Sequence, residues 1–477
     1  MRVFTVTLAA MAYMTTALAQ QNMSFDDALS AMLDNNSAIE SAKYGADVAY
    51  NNLCATRGLR LPKIDLVGGY SLLQSDIDVD IGGSKGAVSQ SINTIINKGV
   101  TDGIITSDVA RLIAEGISPL MSIDWRYTLQ KRSFGMIGAT IVLPIYAGGS
   151  INIANRVAEL TLDAETHAAD AVKSRLFTEL VERYYGVVVA RYAREVRSDA
   201  VKAMSQHLTD AKAMEEEGVV AHSVVLFLQY KLSEAERNLA DATSKAYVAE
   251  LALKNTIGVD EVVNPIEDMF VCNTIYNVDY YKDMALALNP IICEAEIGAK
   301  VSDEGIKIAR AAMLPEIVAM AAGAIYSHNL SDMIPRWSVG IGLRLPLFDG
   351  WGKEHRYRAA QNEAKSVHYD VENAVSNILL LVEKEYYTLC NTLTNIATTK
   401  RAITFAEAYY NNTSEGFIEG VTSSSDVADA CVELAAARVE YINAVYEYML
   451  SLARLLEVSG VSHSFMEYKH RGEILLI

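Results

Sequence analysis

The chain has 477 residues, a formal charge of −18, and 51% hydrophobic against 21% charged residues. An acid surplus of that size excludes nucleic acid as a partner, because phosphate backbones demand basic patches. Five cysteines (Cys54, Cys272, Cys293, Cys390, Cys431) and eight histidines carry no CxxC, HExxH or paired spacing, and GxSxG is missing. They offer no disulfide framework, metal site or catalytic motif, and most of the cysteines read as small core residues.

Residues 1–19 open with Arg2, continue through weakly apolar residues and end Ala17-Leu18-Ala19, which reads as a secretory signal cleaved before Gln20. Ser24 followed by Asp26 and Asp27 caps a helix expected to run to about Arg60. From Leu61-Pro62 to Tyr70 a strand with small residues follows. Residues 71–131 form a long loop, with a glycine-rich tip at 82–86 and a short helix expected over Ser107 to Glu115. Ser133 to Leu143 is the second strand, and Leu143-Pro144-Ile145-Tyr146-Ala147-Gly148-Gly149 is an elbow into a long proline-free helix, Ser150 to Glu217. At 1.5 Å per residue that helix is about 100 Å long, so it must pack on neighbours along its length. Gly218 and Val219 sit in the turn, and a returning helix ends at Gly258.

A linker, residues 259–282, leads to the same plan again. The elbow recurs as Leu345-Pro346-Leu347-Phe348-Asp349-Gly350, offset by 202 residues, and the offset also matches Tyr184-Tyr185 with Tyr386-Tyr387, Gly218 with Gly420 and Gly258 with Gly460. Upstream of the elbows the offset is 253, pairing Asn36 with Asn289 and Leu61-Pro62 with Leu314-Pro315, so the first copy holds an insertion of 51 residues. The chain divides into a first repeat (20–258), a second (283–460) and a polar tail (461–477). Before the second elbow, Trp337, Val339, Ile341, Leu343 and Leu345 alternate with Ser338, Gly340, Gly342 and Arg344, giving a two-faced strand. Pro144 and Pro346 stand where the strands are expected to stop, and Gly148 and Gly350 where the chain turns. Both tyrosine pairs read as packing between rods.

Four strands in an exported chain cannot close a lipid-facing sheet, because edge N–H and C=O groups stay unpaired in a membrane. Several copies sharing one barrel would solve this. The tandem repeat, the Asn289-Pro290 and Leu314-Pro315 pairs, the second elbow and the run Gly420-Val421-Thr422-Ser423-Ser424-Ser425-Asp426-Val427-Ala428-Asp429 resemble the TolC family of bacterial outer-membrane efflux proteins.

The resemblance implies an α+β membrane protein. Long helical hairpins form a periplasmic tunnel, and four strands per protomer enter a shared twelve-stranded barrel in a homotrimer. It implies an exit duct in the outer membrane with a periplasmic extension, without cofactor or catalysis. Such a duct docks a periplasmic adaptor and an inner-membrane transporter, and exports drugs and toxic compounds or, alternatively, polypeptides (type I secretion). A soluble periplasmic helical scaffold without a pore is the reading from another class.

By the same resemblance, Asp426 and Asp429 line a periplasmic aperture that favours cations, while Gly218, Val219, Gly420 and Val421 form the hairpin tips that meet the adaptor. The strand from Trp337 to Leu345 faces lipid. Locally, Ser423-x-x-Asp426 also reads as a capping box, which accounts for Asp426 but not for Asp429. Thr422 and Val224 stand where the family prototype has an arginine and an aspartate that hold the mouth shut, so that lock does not transfer.

Overall fold

A computed structural model describes residues 21–80, 85–117, 126–331 and 333–474. The expected signal segment and the glycines at 82 and 83 lie outside them. The first half runs β1 (Gln21–Met23), α1 (Phe25–Asn35), α2 (Ser37–Arg57), β2 (Lys63–Leu72), β3 (Ile77–Asp80), α3 (Lys85–Thr101), α4 (Ser107–Ile117), β4 (Arg126–Gln130), β5 (Ser133–Ala147), α5 (Ser150–Glu216) and α6 (His222–Ile257). After β6 (Val263–Pro265) and β7 (Phe270–Val271) the second half runs α7 (Val278–Leu288), α8 (Pro290–Ala311), β8 (Glu316–His328), β9 (Trp337–Arg344), α9 (Gly352–Ile418) and α10 (Ser424–Val458). Short elements α11 (Phe465–Arg471) and β10 (Glu473–Ile474) close the chain. No helix among the described residues is long and apolar enough to cross a membrane.

Two compact units arise, one from Met1–Asp47, Asp163–Gly298 and His368–Ile477, the other from Val48–Leu162 and Ala299–Val367. Each draws on both copies of the repeat.

The first unit is helical. Ser24 caps α1 with a reciprocal capping box to Asp27. The helix expected to continue to Arg60 breaks at Asn36, whose ψ of 120° is extended. The Asn36 side chain stabilises the break at both ends: Oδ1 accepts from the Ala38 N–H at 2.9 Å and Nδ2 donates to the Thr256 carbonyl at 2.8 Å. Asn289 does the same in the second copy, accepting from the Ile291 N–H at 2.9 Å and donating to the Val458 carbonyl at 2.7 Å. Gly258 and Gly460 end the returning helices at φ 80° and 74°. A Cβ at either would come within 2.9 Å of the Asn35 carbonyl oxygen or 2.6 Å of that of Leu288, so both positions need glycine for conformation and for room.

An aromatic cluster forms the core. Phe25 lies 5.4 Å from Tyr184 and 5.7 Å from Tyr185, ring centre to ring centre, and Phe465 lies 5.8 Å from Phe25 and 5.4 Å from Phe270. Burying each such ring contributes roughly 1.5–3 kcal/mol. Tyr184 and Tyr448 offset the burial of their hydroxyls by donating to the Met23 and Cys272 carbonyls, both at 2.8 Å. The residues after Gly460, expected as a polar tail, are thus packed: Phe465 and Tyr468 are buried and β10 pairs with β7. Of the cysteines, only Cys272 and Cys431 are buried, whereas Cys54 is exposed, which corrects the expectation of mostly core thiols.

The second unit holds a four-stranded antiparallel sheet in the order β2-β5-β8-β9. Residues directly opposite one another share a face, so the pairings Ile64↔Ile141, Ile141↔Ala321 and Ala321↔Val339 define one row across the sheet. Leu66, Ala139, Gly323 and Trp337 define the next. Strand β5 does not stop at Pro144 as expected but continues to Ala147 with a bulge between Pro144 and Tyr146. Beyond Val142 its β2 side is unpaired, so the missing N–H of Pro144 takes nothing from that ladder. In the second copy β9 does end before Pro346.

Candidate functional site: an exposed apolar sheet face and two hairpin tips

In the sheet unit the alternation of β9 places Trp337, Val339, Ile341 and Leu343 on one face, with Ile341 73% exposed. Ile64, Leu66, Tyr70, Ile137, Ile141 and Tyr326 continue that face over the neighbouring strands and are also exposed. The opposite face carries Thr140, Gly340 and Ser338 beside Met136 and Phe134, so one face of the sheet is apolar and exposed and the other is mixed. Among the described residues β2 and β9 each pair on one side only, leaving both edges of the sheet open.

The elbows have the backbone that their glycines suggest. Gly148 and Gly149 adopt φ of 62° and 85°, and a Cβ at Gly148 would press to 2.5 Å from the Ala311 carbonyl oxygen. At the second elbow Gly350 has φ 75°, followed by Trp351 at 67°, a conformation that bulky side chains rarely adopt. The Trp351 ring stands edge-on to Phe348, centroids 6.0 Å apart, and both are exposed, as is Leu345. Sequence reasoning passed over this aromatic pair; two large aromatics three residues apart beside Gly350 were the available signal.

In the helical unit the two tips are alike. Gly218 and Gly420 turn at φ 75° and 77°, and Val219 and Val421 donate their N–H groups to the Met214 and Gly416 carbonyls, both at 2.8 Å. Val219 and Val421 are exposed. Beneath the tips Met204, Leu208, Val225, Leu228, Phe417 and Val427 form a small core of their own.

His207 of α5 joins the two copies there: its ring lies 4.5 Å from that of Phe417 on α9, and Nε2 is 3.3 Å from the Ser424 hydroxyl on α10. Burial holds its imidazole below the ordinary value, against the smaller upward pull of the Ser424 bond and of Asp210.

Asp426 and Asp429 are both exposed but differ in company. Asp426 completes the capping box of α10, its Oδ2 accepting from the Ser423 hydroxyl at 2.8 Å and N–H at 3.1 Å. Asp429 Oδ1 lies 3.4 Å from Nζ of Lys231 on α6. Lys231 was missed, and no local pattern points to it, because its partner lies in the other copy. Thr422 donates its hydroxyl to the Thr413 carbonyl at 2.7 Å, a contact within its own hairpin.

The two tyrosine pairs part ways. Tyr184 and Tyr185 are fully buried, whereas Tyr386 is half-buried and Tyr387 is 64% exposed.

An open sheet with an exposed apolar face, in a chain that also builds two long helical hairpins, is a fold shared with solved outer-membrane channels. The chain is similar to the Campylobacter jejuni CmeC outer membrane channel, with a TM-score of 0.70 at 14% identity, covering 94% of this chain and 90% of that one. At that identity the likeness carries the fold alone. Residues 282–461 match the family model described as outer membrane efflux protein. Among curated proteins the chain is similar to the alkaline protease secretion protein AprF of Pseudomonas aeruginosa, 24% identical over 60% of this chain and 61% of that protein. It is also similar to the protein CyaE of Bordetella pertussis, 24% identical over 52% of this chain and 56% of that protein. The chain therefore spans about three fifths of the length of these relatives. The second repeat thus resembles the outer membrane efflux protein family, the family expected from the sequence.

Proposed function

We propose that three copies of this chain form an exit duct, each lending four strands to one twelve-stranded barrel in the outer membrane. The observation that carries this reading is the pairing of a continuous exposed apolar face with two open sheet edges. Lipid accepts the face but not the edges, and identical neighbours supply the missing partners. Exposed aromatics bound the strands at their ends, with Trp337, Tyr70 and Tyr326 towards one and Phe348 and Trp351 at the other, which is how barrel strands meet the two membrane interfaces. A soluble scaffold would have no use for such a face. The exposed Tyr387, in a position buried in the first copy, gives a neighbouring protomer's helix something to cover.

The hairpins continue the duct into the periplasm, with Gly218, Val219, Gly420 and Val421 meeting a periplasmic adaptor and, through it, an inner-membrane transporter. Asp426 and Asp429 line the aperture at these tips. The cargo is small toxic compounds. Polypeptide secretion is the second reading, favoured by the similarity to AprF, whose name is that of a protease secretion protein.

The test is purification in detergent, cross-linking and planar-bilayer recording. A trimer that conducts is expected. A mature chain that stays a monomer in water, indifferent to detergent, overturns the proposal.

A further inference from the structure

The insertion in the first copy is folded, and it lies on the sheet. Helices α3 and α4 join through a turn in which Ile104 donates its N–H to the Gly99 carbonyl at 2.9 Å. The Ile104 side chain stands where a Cβ of Gly69 would be, its Cγ2 2.9 Å from that point. Gly69 pairs with Met136 on the mixed face of the sheet, opposite the face of Trp337 and Ile341. Between that face and the helices is a cavity of 1290 Å³, lined among others by Thr94, Lys98, Phe134, Met136, Thr140 and Ser338.

We infer that the α3–α4 insertion is a size filter lying in the lumen of the shared barrel, which restricts the cargo to small solutes. The inference rests on the duct reading, because only assembly turns a sheet face into a lumen. Twelve strands about 4.8 Å apart and tilted by about 40° make a circumference of about 75 Å and a backbone diameter of about 24 Å. A helix with its side chains is about 10 Å across, so six abreast would need about 470 Å² against a section of about 450 Å², and the pairs from the three protomers must stagger along the barrel axis. The space observed beside one helix pair is the cavity of 1290 Å³, which suits a drug-sized molecule. An extended polypeptide with its side chains does not pass six helices packed in this way. The mixed lining, with Lys98, Thr94 and Ser338 beside Phe134 and Met136, gives amphiphilic solutes both kinds of contact.

Two variants of the full chain test this in planar bilayers, beside wild type. One replaces residues 85–117 with a short Gly-Ser bridge. The other carries Gly69→Cys and Ile104→Cys on a Cys54→Ser background; the Ile104 Cβ is 3.3 Å from the ideal Cβ position at Gly69, close to the spacing that a disulfide needs. Single-channel conductance and the largest polyethylene glycol that enters the pore are read out. Expected are a conductance at least about threefold higher and a larger polymer limit for the deletion, since conduction follows the open section, with wild-type values for the oxidised cysteine pair. Deletion channels with wild-type conductance and polymer limit overturn the filter and leave the duct standing. So does an oxidised pair that conducts far less than wild type, since the insertion then leaves the lumen when the duct conducts. If wild type itself forms no channel, the duct reading falls first and takes the filter with it.

Discussion

Lys231 Nζ lies 3.4 Å from Asp429 Oδ1, so a side chain of the first copy partly neutralises an acid of the second. With Lys231 mostly covered and Asp429 exposed, solvent still screens the pair to about 1 kcal/mol of stability, but it sets the field at the tips. Lys231→Met frees Asp429 and makes the duct more cation-selective. Asp429→Asn does the opposite, and Asp426→Ala additionally costs about 1 kcal/mol by removing part of the helix cap. Reversal potentials under a salt gradient check all three; if Lys231→Met leaves the potential unchanged, the aspartates do not line the conducting path.

Ile341→Arg places a charge at the middle of the exposed β9 face. In a barrel strand this costs about 2–4 kcal/mol per protomer, so the trimer yield should collapse in detergent extracts, while Gly340→Ser on the inward face is tolerated. A normal yield for Ile341→Arg refutes the lipid-facing assignment.

Asn36→Ala and Asn289→Ala remove two matching hydrogen bonds from equivalent sites, with a third, longer one from the Ile292 N–H at Asn289, and leave the Thr256 or Val458 carbonyl without its donor. Each should cost about 1–3 kcal/mol. The midpoints of denaturant-induced loss of helix should fall by similar amounts; a clear loss for one and none for the other breaks the equivalence.

His207 gives the tips a dependence on acidity. Its buried ring holds a proton less readily than the ordinary value of 6.5, while an opened tip titrates normally. The open state therefore binds more protons between those two values, and stability present above 6.5 is lost as pH falls below it. Protection factors for amide exchange at residues 417–428, corrected for the intrinsic rate at each pH, should fall as pH drops below about 6.5, and the fall should vanish in His207→Gln, which keeps a partner for Ser424 without taking up a proton.

The architecture was legible because it is written in long, regular signals. A proline-free run gave α5 almost to the residue, and strict alternation gave β9. Helix α3 was lost because Gly86 and Gly99, among serines, asparagines and threonines, lower helix propensity and read as loop. Asn36 looked like any polar residue in a helix; only the carbonyl 220 residues away makes it a break. Pro144 inside β5 depends on which side of the strand has a partner, which is a property of the sheet. At the site, the capping half of Asp426 was local and readable. The Lys231 and His207 contacts join the two copies, where no periodicity reaches.

The open edges of β2 and β9 bear on how the molecule comes to exist. Before the proposed assembly, a protomer carries two rows of unsatisfied backbone donors and acceptors beside a greasy surface, so sticking to the wrong neighbour competes with finding the right ones. Productive encounter is steeply dependent on concentration, and wrong pairing is quick; the polypeptide needs an escort between the translocon and its final home. Cells starved of holdase chaperones should lose this protein before they lose ordinary periplasmic enzymes.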